Sequence, residues 1–158
     1  MNALRTVVVV ACLTTLCGAH AMSINDMRKS ALLADALVIP VTEDAAIIIS
    51  FYGRLLGVEA NGVGGFLYDV LGRPERIGKT TLRYGVDGTL EFVGDKRVLY
   101  DELGRVEKID QLKMRFDVAG RMDNIGKTVI RYRVEGGLED IQGEPLPGLR
   151  LRFSAPKP

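Results

Sequence analysis

Apolar and polar residues alternate in short bursts through the second half of the chain. Over residues 82–86, Leu82, Tyr84 and Val86 alternate with Arg83 and Gly85, the period-two signature of a strand with one buried face. Asp87-Gly88 then breaks the run as a turn, residues 90–93 resume it, and Gly94-Asp95 marks the next turn. The burst recurs every sixteen residues: Tyr68, Tyr84, Tyr100, Phe116 and Tyr132 share one position, and Gly72, Gly88, Gly104, Gly120 and Gly136 another. An acid row (Glu75, Glu91, Glu107, Asp123, Glu139) and an Ile/Val row (Ile77, Val93, Ile109, Ile125, Ile141) follow in the same register. A fixed period of this kind sets the architecture. Each unit has room for two strands of about five residues and two tight turns, and such short connections force antiparallel neighbours. The expected fold is therefore all-β, an antiparallel meander of 16-residue hairpin repeats forming a curved or barrel-like sheet, with one short N-terminal helix.

The turns carry their own chemistry. Asp69-x-x-Gly72, Asp101-x-x-Gly104 and Asp117-x-x-Gly120 place Asp first and Gly fourth, as a type I turn requires. The glycine then closes the hairpin with a bulge. This register sets the aromatics opposite Leu90, Val106, Met122 and Leu138 on the apolar side. It also sets Arg83 opposite Glu91, Arg115 opposite Asp123 and Arg131 opposite Glu139, ion pairs worth roughly 0.2–1 kcal/mol each. The Ile/Val row shares parity with the charged face, so either each strand bulges there or both faces are covered.

Tyr68-Asp69-x-x-Gly72-Arg73, Tyr100-Asp101-x-x-Gly104-Arg105 and Phe116-Asp117-x-x-Gly120-Arg121 resemble the YD repeat of the RHS family, over about half the chain. Val106 and Met122 after Gly-Arg, and the Ile/Val three residues later, also match. The resemblance implies β-hairpin strips, which in that family curl into shells around toxin domains or form cell-surface modules for glycan or protein binding. This chain has about five copies on a tighter spacing and no toxin-like C-terminal domain, so the encapsulating role does not carry over.

Residues 1–21 read as a secretory signal peptide: Arg5, an apolar run over 7–16, and Ala19-His20-Ala21 as a small-x-small cleavage site. The run is shorter than the ~20 residues of a spanning helix. Cys17 or Cys12 as a lipidation site ranks below plain cleavage. Cleavage removes both cysteines and the single histidine, and leaves 20 basic against 20 acidic side chains. That excludes disulfides, thiol nucleophiles, Ser-His-Asp chemistry and His/Cys metal sites, and leaves no basic field for nucleic acid.

Residues 22–153 are read as one domain. It starts with a helix over 24–38, carried by Ile24, Met27, Ala31, Ala34 and Leu37 or Val38 and stopped by Pro40. A buried strand is expected over 45–51, with Tyr52 opening a degenerate first copy and the repeats covering about 52–141. Gly62, Gly64 and Gly65 mark a turn. Pro145 and Pro147 lead to a last strand over 148–153, and 154–158 form a disordered tail.

Candidate chemistry is sparse. Ile77-Gly78-Lys79-Thr80 and Ile125-Gly126-Lys127-Thr128 imitate the end of a phosphate-binding loop, but five residues rather than four separate their glycines, so both are read as turns. The acid row offers carboxylates about 10 Å apart across two strands, near the upper limit for an inverting glycosidase pair; a salt-bridge ladder accounts for it better. Tyr68, Tyr84, Tyr100 and Tyr132, with Arg73, Arg105 and Arg121 after the turn glycines, are the candidate ligand surface, although aromatics on an apolar face are mostly core and edge cations also block aggregation. Asp69, Gly72, Asp87, Gly88, Asp101, Gly104, Asp117 and Gly120 are structural turn residues. No catalytic residue, metal or cofactor is expected.

The sequence thus points to an exported module, periplasmic or secreted, that binds or builds without catalysis. Its partner is an unidentified envelope protein or glycan, with no nucleic acid and no transmembrane span after signal cleavage. Two other classes stay open. One is an Asp/Glu-dependent hydrolase of envelope polysaccharide. The other is an inhibitor or accessory subunit of an envelope enzyme or secretion machine, for which an exposed Ile/Val row would be the contact.

Overall fold

The computed structural model describes residues 34–62, 64–135 and 137–153. Signal peptide, lipidation and tail expectations lie outside these residues. The described chain is all-β, in two sheets. Strands β1 (Ala34–Pro40), β2 (Ala45–Ser50), β3 (Leu55–Ala60) and β14 (Arg150–Phe153) form a four-stranded sheet in the order β14-β1-β2-β3. The second sheet has ten strands that pair antiparallel in chain order. They are β4 (Phe66–Tyr68), β5 (Pro74–Ile77), β6 (Thr80–Tyr84), β7 (Leu90–Val93), β8 (Lys96–Tyr100), β9 (Val106–Ile109), β10 (Leu112–Phe116), β11 (Met122–Ile125), β12 (Thr128–Tyr132) and β13 (Leu138–Gly143). The sheet stays open: β4 and β13 are its edges, so there is no closed barrel. Among the described residues no helix is long and apolar enough to cross a membrane.

The expected helix over 24–38 is corrected where it can be seen. Residues 34–38 belong to β1, and residues 24–33 lie outside the described chain. Alternation explains the strand: Leu37 and Ile39 enter the main core, while Ala36 and Val38 join Ala46 and Ile48 in a second buried cluster. A strand buried on both faces reads as a continuous apolar run, and pairing with β2 and β14 on either side overrides the helical spacing. Tyr52 is likewise reassigned. It sits at the tip between β2 and β3, in the small sheet rather than in the ten-stranded one.

The core lies between the sheets. Leu37, Ile39, Ile47 and Ile49 meet Leu82, Leu90, Met114, Met122 and the Ile/Val row, all buried. The aromatics face Leu90, Val106, Met122 and Leu138 as the turn chemistry dictates. The expected Arg–acid register is corrected. Arg83 faces Phe92, Arg115 faces Asn124 and Arg131 faces Asp140. Each pairing slips by one residue just after the turn, so Glu75, Glu91, Glu107, Asp123 and Glu139 are extra residues at bulges. The physical reason is parity. Leu90 and Val93 both point inward yet lie three positions apart, and a pleat alternating with period two must absorb one residue between them.

The tip of the β2–β3 hairpin is fastened to the large sheet through the backbone. Val106 N–H donates to the Gly53 carbonyl at 2.8 Å and Met122 N–H to the Phe51 carbonyl at 2.7 Å. Gly53 has φ +78° and lies against the Phe116 ring, a place that leaves no room for a Cβ.

Candidate binding surface

At one end of the large sheet the predicted turns form as sequence chemistry requires. Gly72, Gly104 and Gly120 have φ of +76°, +72° and +78°, and their N–H groups donate to Asp69, Asp101 and Asp117 carbonyls. Each Asp side chain accepts three further bonds. Asp101, for example, takes the Leu103 N–H at 2.9 Å, the Arg105 N–H at 3.0 Å and Arg105 Nε at 2.6 Å. In the second copy Asp87 instead accepts from Thr89, through its N–H and Oγ1. There Gly88, at φ +84°, donates to the Gly85 carbonyl.

Arg73, Arg105 and Arg121 are held from two sides. Each pairs with its turn aspartate and lies over the aromatic eleven residues ahead, at 4.7 Å from Tyr84, 4.0 Å from Phe116 and 4.6 Å from Tyr132. The backbone N–H and guanidinium of Arg73 hold the Asp69 carboxyl below its ordinary range. For Asp101 and Asp117, burial pushes upward but the Arg105 and Arg121 donors outweigh it, so both are also lowered.

The tyrosines are engaged as well. Tyr84, Tyr100 and Tyr132 are half-buried against the core and donate their hydroxyls to the carbonyls of Pro74, Leu90 and Met122 at 2.7–2.8 Å. Burial pushes the Tyr100 phenol up to about 12 and raises Tyr132 too. Of the residues in the sequence-derived ligand surface, Tyr68 alone is largely exposed, at 59 %, beside Phe66 at the sheet edge.

A different set of cations faces solvent. On the side of the large sheet away from the core, pairing builds one row across the strands: Arg76 beside Thr81, Arg83–Phe92–Arg97, Leu99–Lys108–Lys113, Arg115–Asn124–Val129, and Arg131–Asp140. The Arg83 guanidinium covers Phe92 at 3.9 Å. Lys108 and Lys113 are direct cross-strand partners, and like charges in that position repel. Arg97 and Arg115 extend this patch on β8 and β10. None of the four is within ion-pair distance of a carboxylate among the described residues. The bulge acids stand on the same solvent side, nearer the turns. Sequence reasoning missed this surface because it paired these cations with the acids; the odd Leu90–Val93 spacing was the signal that shifts the register.

At the opposite end, the two Gly-Lys-Thr turns are anchors. Asp44 accepts from the Lys79 N–H at 2.8 Å and Thr42 Oγ1 meets Thr80 Oγ1 at 2.8 Å. Across the sheet, Thr128 Oγ1 donates to the Glu144 carbonyl at 2.7 Å and accepts from the Leu146 N–H at 3.1 Å. Gly78 and Gly126, with φ of +55° and +57°, shape hairpin turns here, not a phosphate cradle. Among the described residues no group of three or more His, Cys, Asp or Glu side chains is placed to hold a metal ion. The Ile/Val row, offered by the sequence as a partner contact, is buried at 0–4 % exposure. Compared with family models, curated proteins and solved structures, the chain matches none.

Proposed function

We propose that this chain is an exported, non-catalytic binding module of the cell envelope, built of 16-residue hairpin repeats akin to YD repeats, and that it grips an anionic glycan across the solvent face of its large sheet. The observation that carries this reading is the Lys108–Lys113 pair, flanked by Arg97 and Arg115, with no carboxylate at ion-pair distance among the described residues. Two facing ammonium groups repel until an anion lies between them, and a linear polyanion running across the strands meets one cation after another. The Arg73, Arg105 and Arg121 row, committed to turns and rings, is the frame behind this face.

Non-catalytic action is supported by the placement of the acids. The row stands at bulges, and Glu75, Glu91, Glu107 and Glu139 are exposed among the described residues rather than gathered as a pair in a cleft. A protein partner, the accessory-subunit reading, finds its support at the hairpin tips. Val70, Leu71, Val86, Leu103, Val118 and Val134 are exposed at one end of the sheet.

The test is binding of the chain to labelled polygalacturonate, with neutral dextran as control, over a salt series. Binding should weaken steeply as salt rises, because released counterions drive it, and the double variant Lys108→Glu/Lys113→Glu should lose it while melting like the parent. Equal retention of dextran, or indifference to both substitutions, rejects the reading. Capture of one envelope protein that is released by Val86→Ser/Val118→Ser favours the accessory reading instead.

A further inference from the structure

The large sheet ends on two unlike edges, and together they carry the two sides of the contact that recurs inside it. Strands of two kinds alternate across the sheet. Strands β6, β8, β10 and β12 carry the aromatic row, and β5, β7, β9, β11 and β13 carry the Ile/Val row. One edge, β4, is of the aromatic kind through Tyr68, and the other, β13, is of the Ile/Val kind through Ile141. Inside the sheet every Ile/Val strand is followed by an aromatic one. After β13 the chain instead leaves for β14 in the small sheet.

What each edge lacks, the other supplies. Tyr84, Tyr100 and Tyr132 donate to the carbonyl ten residues before them, on the preceding strand. Ten residues before Tyr68 stands Val58, in the small sheet, and the Tyr68 hydroxyl has no acceptor among the described residues. Ten residues after Leu138 stands Gly148, so no tyrosine returns to the Leu138 carbonyl. Gly137 occupies the place from which Arg73, Arg105 and Arg121 cover a ring. Thr89 occupies it too, and Tyr100 keeps its bond to Leu90 without a cation above it. Ile77 has Thr80 as its cross-strand partner, whereas the N–H of Ile141, its counterpart on β13, is taken by the adjacent Asp140 carboxylate at 2.9 Å. Such a local side-chain bond competes with strand pairing and yields to it. On the β4 side, a Cβ built on Gly65 meets nothing within 4 Å.

We propose that this chain binds further copies of itself edge to edge, β4 of one copy adding to β13 of the next in the register of the internal repeat. Four periods on from Arg76 is Asp140, and one period back from Thr81 is Gly65, so the Arg76–Thr81 pairing becomes Asp140 against Gly65 of the next copy. Ile141 then faces Gly64, and the Tyr68 hydroxyl of the added copy donates to the Leu138 carbonyl. The contact is head-to-tail, so it does not close on two copies and extends into a row. Strand β4 has three residues, and an edge that short keeps pairing weak, so assembly belongs to high local concentration. The inference does not depend on the glycan reading, since Lys108 and Lys113 lie on β9 and β10, away from both edges.

The test is sedimentation of the full chain, with Cys12 and Cys17 replaced by serine, from about 1 μM to about 1 mM, the weak end of specific association. The average mass should rise with concentration and pass two copies without a plateau. Tyr68→Phe should move that rise to about fivefold higher concentration, the worth of one hydrogen bond, and still melt like the parent when dilute. In the same background Gly65→Cys/Asp140→Cys places two thiols as cross-strand neighbours between copies, within disulfide reach. Mild oxidation should give a ladder of linked chains on a denaturing gel. Each single-cysteine variant should stop at linked pairs, and the off-register variant Leu67→Cys/Asp140→Cys should give far less ladder. A single-chain mass at every concentration, a rise that Tyr68→Phe does not move, or equal ladders from the two double-cysteine variants overturns the proposal.

Discussion

The guanidinium of Arg105 lies 4.0 Å from the centre of the Phe116 ring while its Nε donates to Asp101. One side chain therefore joins a turn to the next hairpin along the sheet. Lysine keeps the charge but neither the planar face nor the fork. Arg105→Lys should cost about 0.5–1 kcal/mol from the lost stacking alone, read as a lower urea midpoint. Arg97→Lys, on the open face, should leave the midpoint where it is.

Gly53 allows the small sheet to touch the large one. A methyl group there would meet the Phe116 ring, and the φ of +78° disfavours any side chain. Gly53→Ala should destabilise by about 1–3 kcal/mol, the range for overpacking, in urea unfolding. Gly57→Ala, with nothing within 4 Å, should stay within about 0.5 kcal/mol of the parent.

The half-buried tyrosines test the hydrogen bonds between hairpins. Tyr132→Phe leaves the Met122 carbonyl without its donor, and Tyr100→Phe does the same to Leu90. Each should cost on the order of 1 kcal/mol. Tyr68→Phe, on the exposed edge residue, should be silent in the same thermal melts.

Stability should fall at both ends of the pH scale, for opposite reasons. Asp69, Asp101 and Asp117 are lowered in the fold. Their contribution is complete above the ordinary aspartate value of about 3.9 and disappears as pH drops through the folded-state values. Tyr100 is raised to about 12. Its contribution is complete below the ordinary tyrosine value of about 10 and is lost as pH climbs toward 12. Melting temperatures measured from pH 2 to 12 should drop first below about pH 4 and again above about pH 10. A triple Asp→Asn variant at the three turns should flatten the acid limb alone.

The parts of the fold fixed by neighbours in sequence were legible. Asp-x-x-Gly set the turns, and with them the aromatics opposite Leu90, Val106, Met122 and Leu138. The charged face was misread because a second bulge follows the turn, although the odd spacing of Leu90 and Val93 carried the information. Residues 34–38 were misread because Ala34, Leu37 and Val38 fit a helix spacing as well as a doubly buried strand. Pairing with β2 on one side and with β14, more than a hundred residues away, on the other decides between them.

The two anchors have a consequence for how this chain can evolve in length. Thr80 and Thr128 stand on β6 and β12, six strand steps or about 28 Å apart. The parts that hold them, Thr42 and the 144–146 segment, belong to one frame closed by the pairing of β1 with β14. Inserting or deleting one sixteen-residue unit between them would change that span by about 10 Å, and only one clamp would then engage. An open-ended solenoid tolerates such changes. Here the small sheet acts as a ruler, and the number of hairpins between its two marks is set.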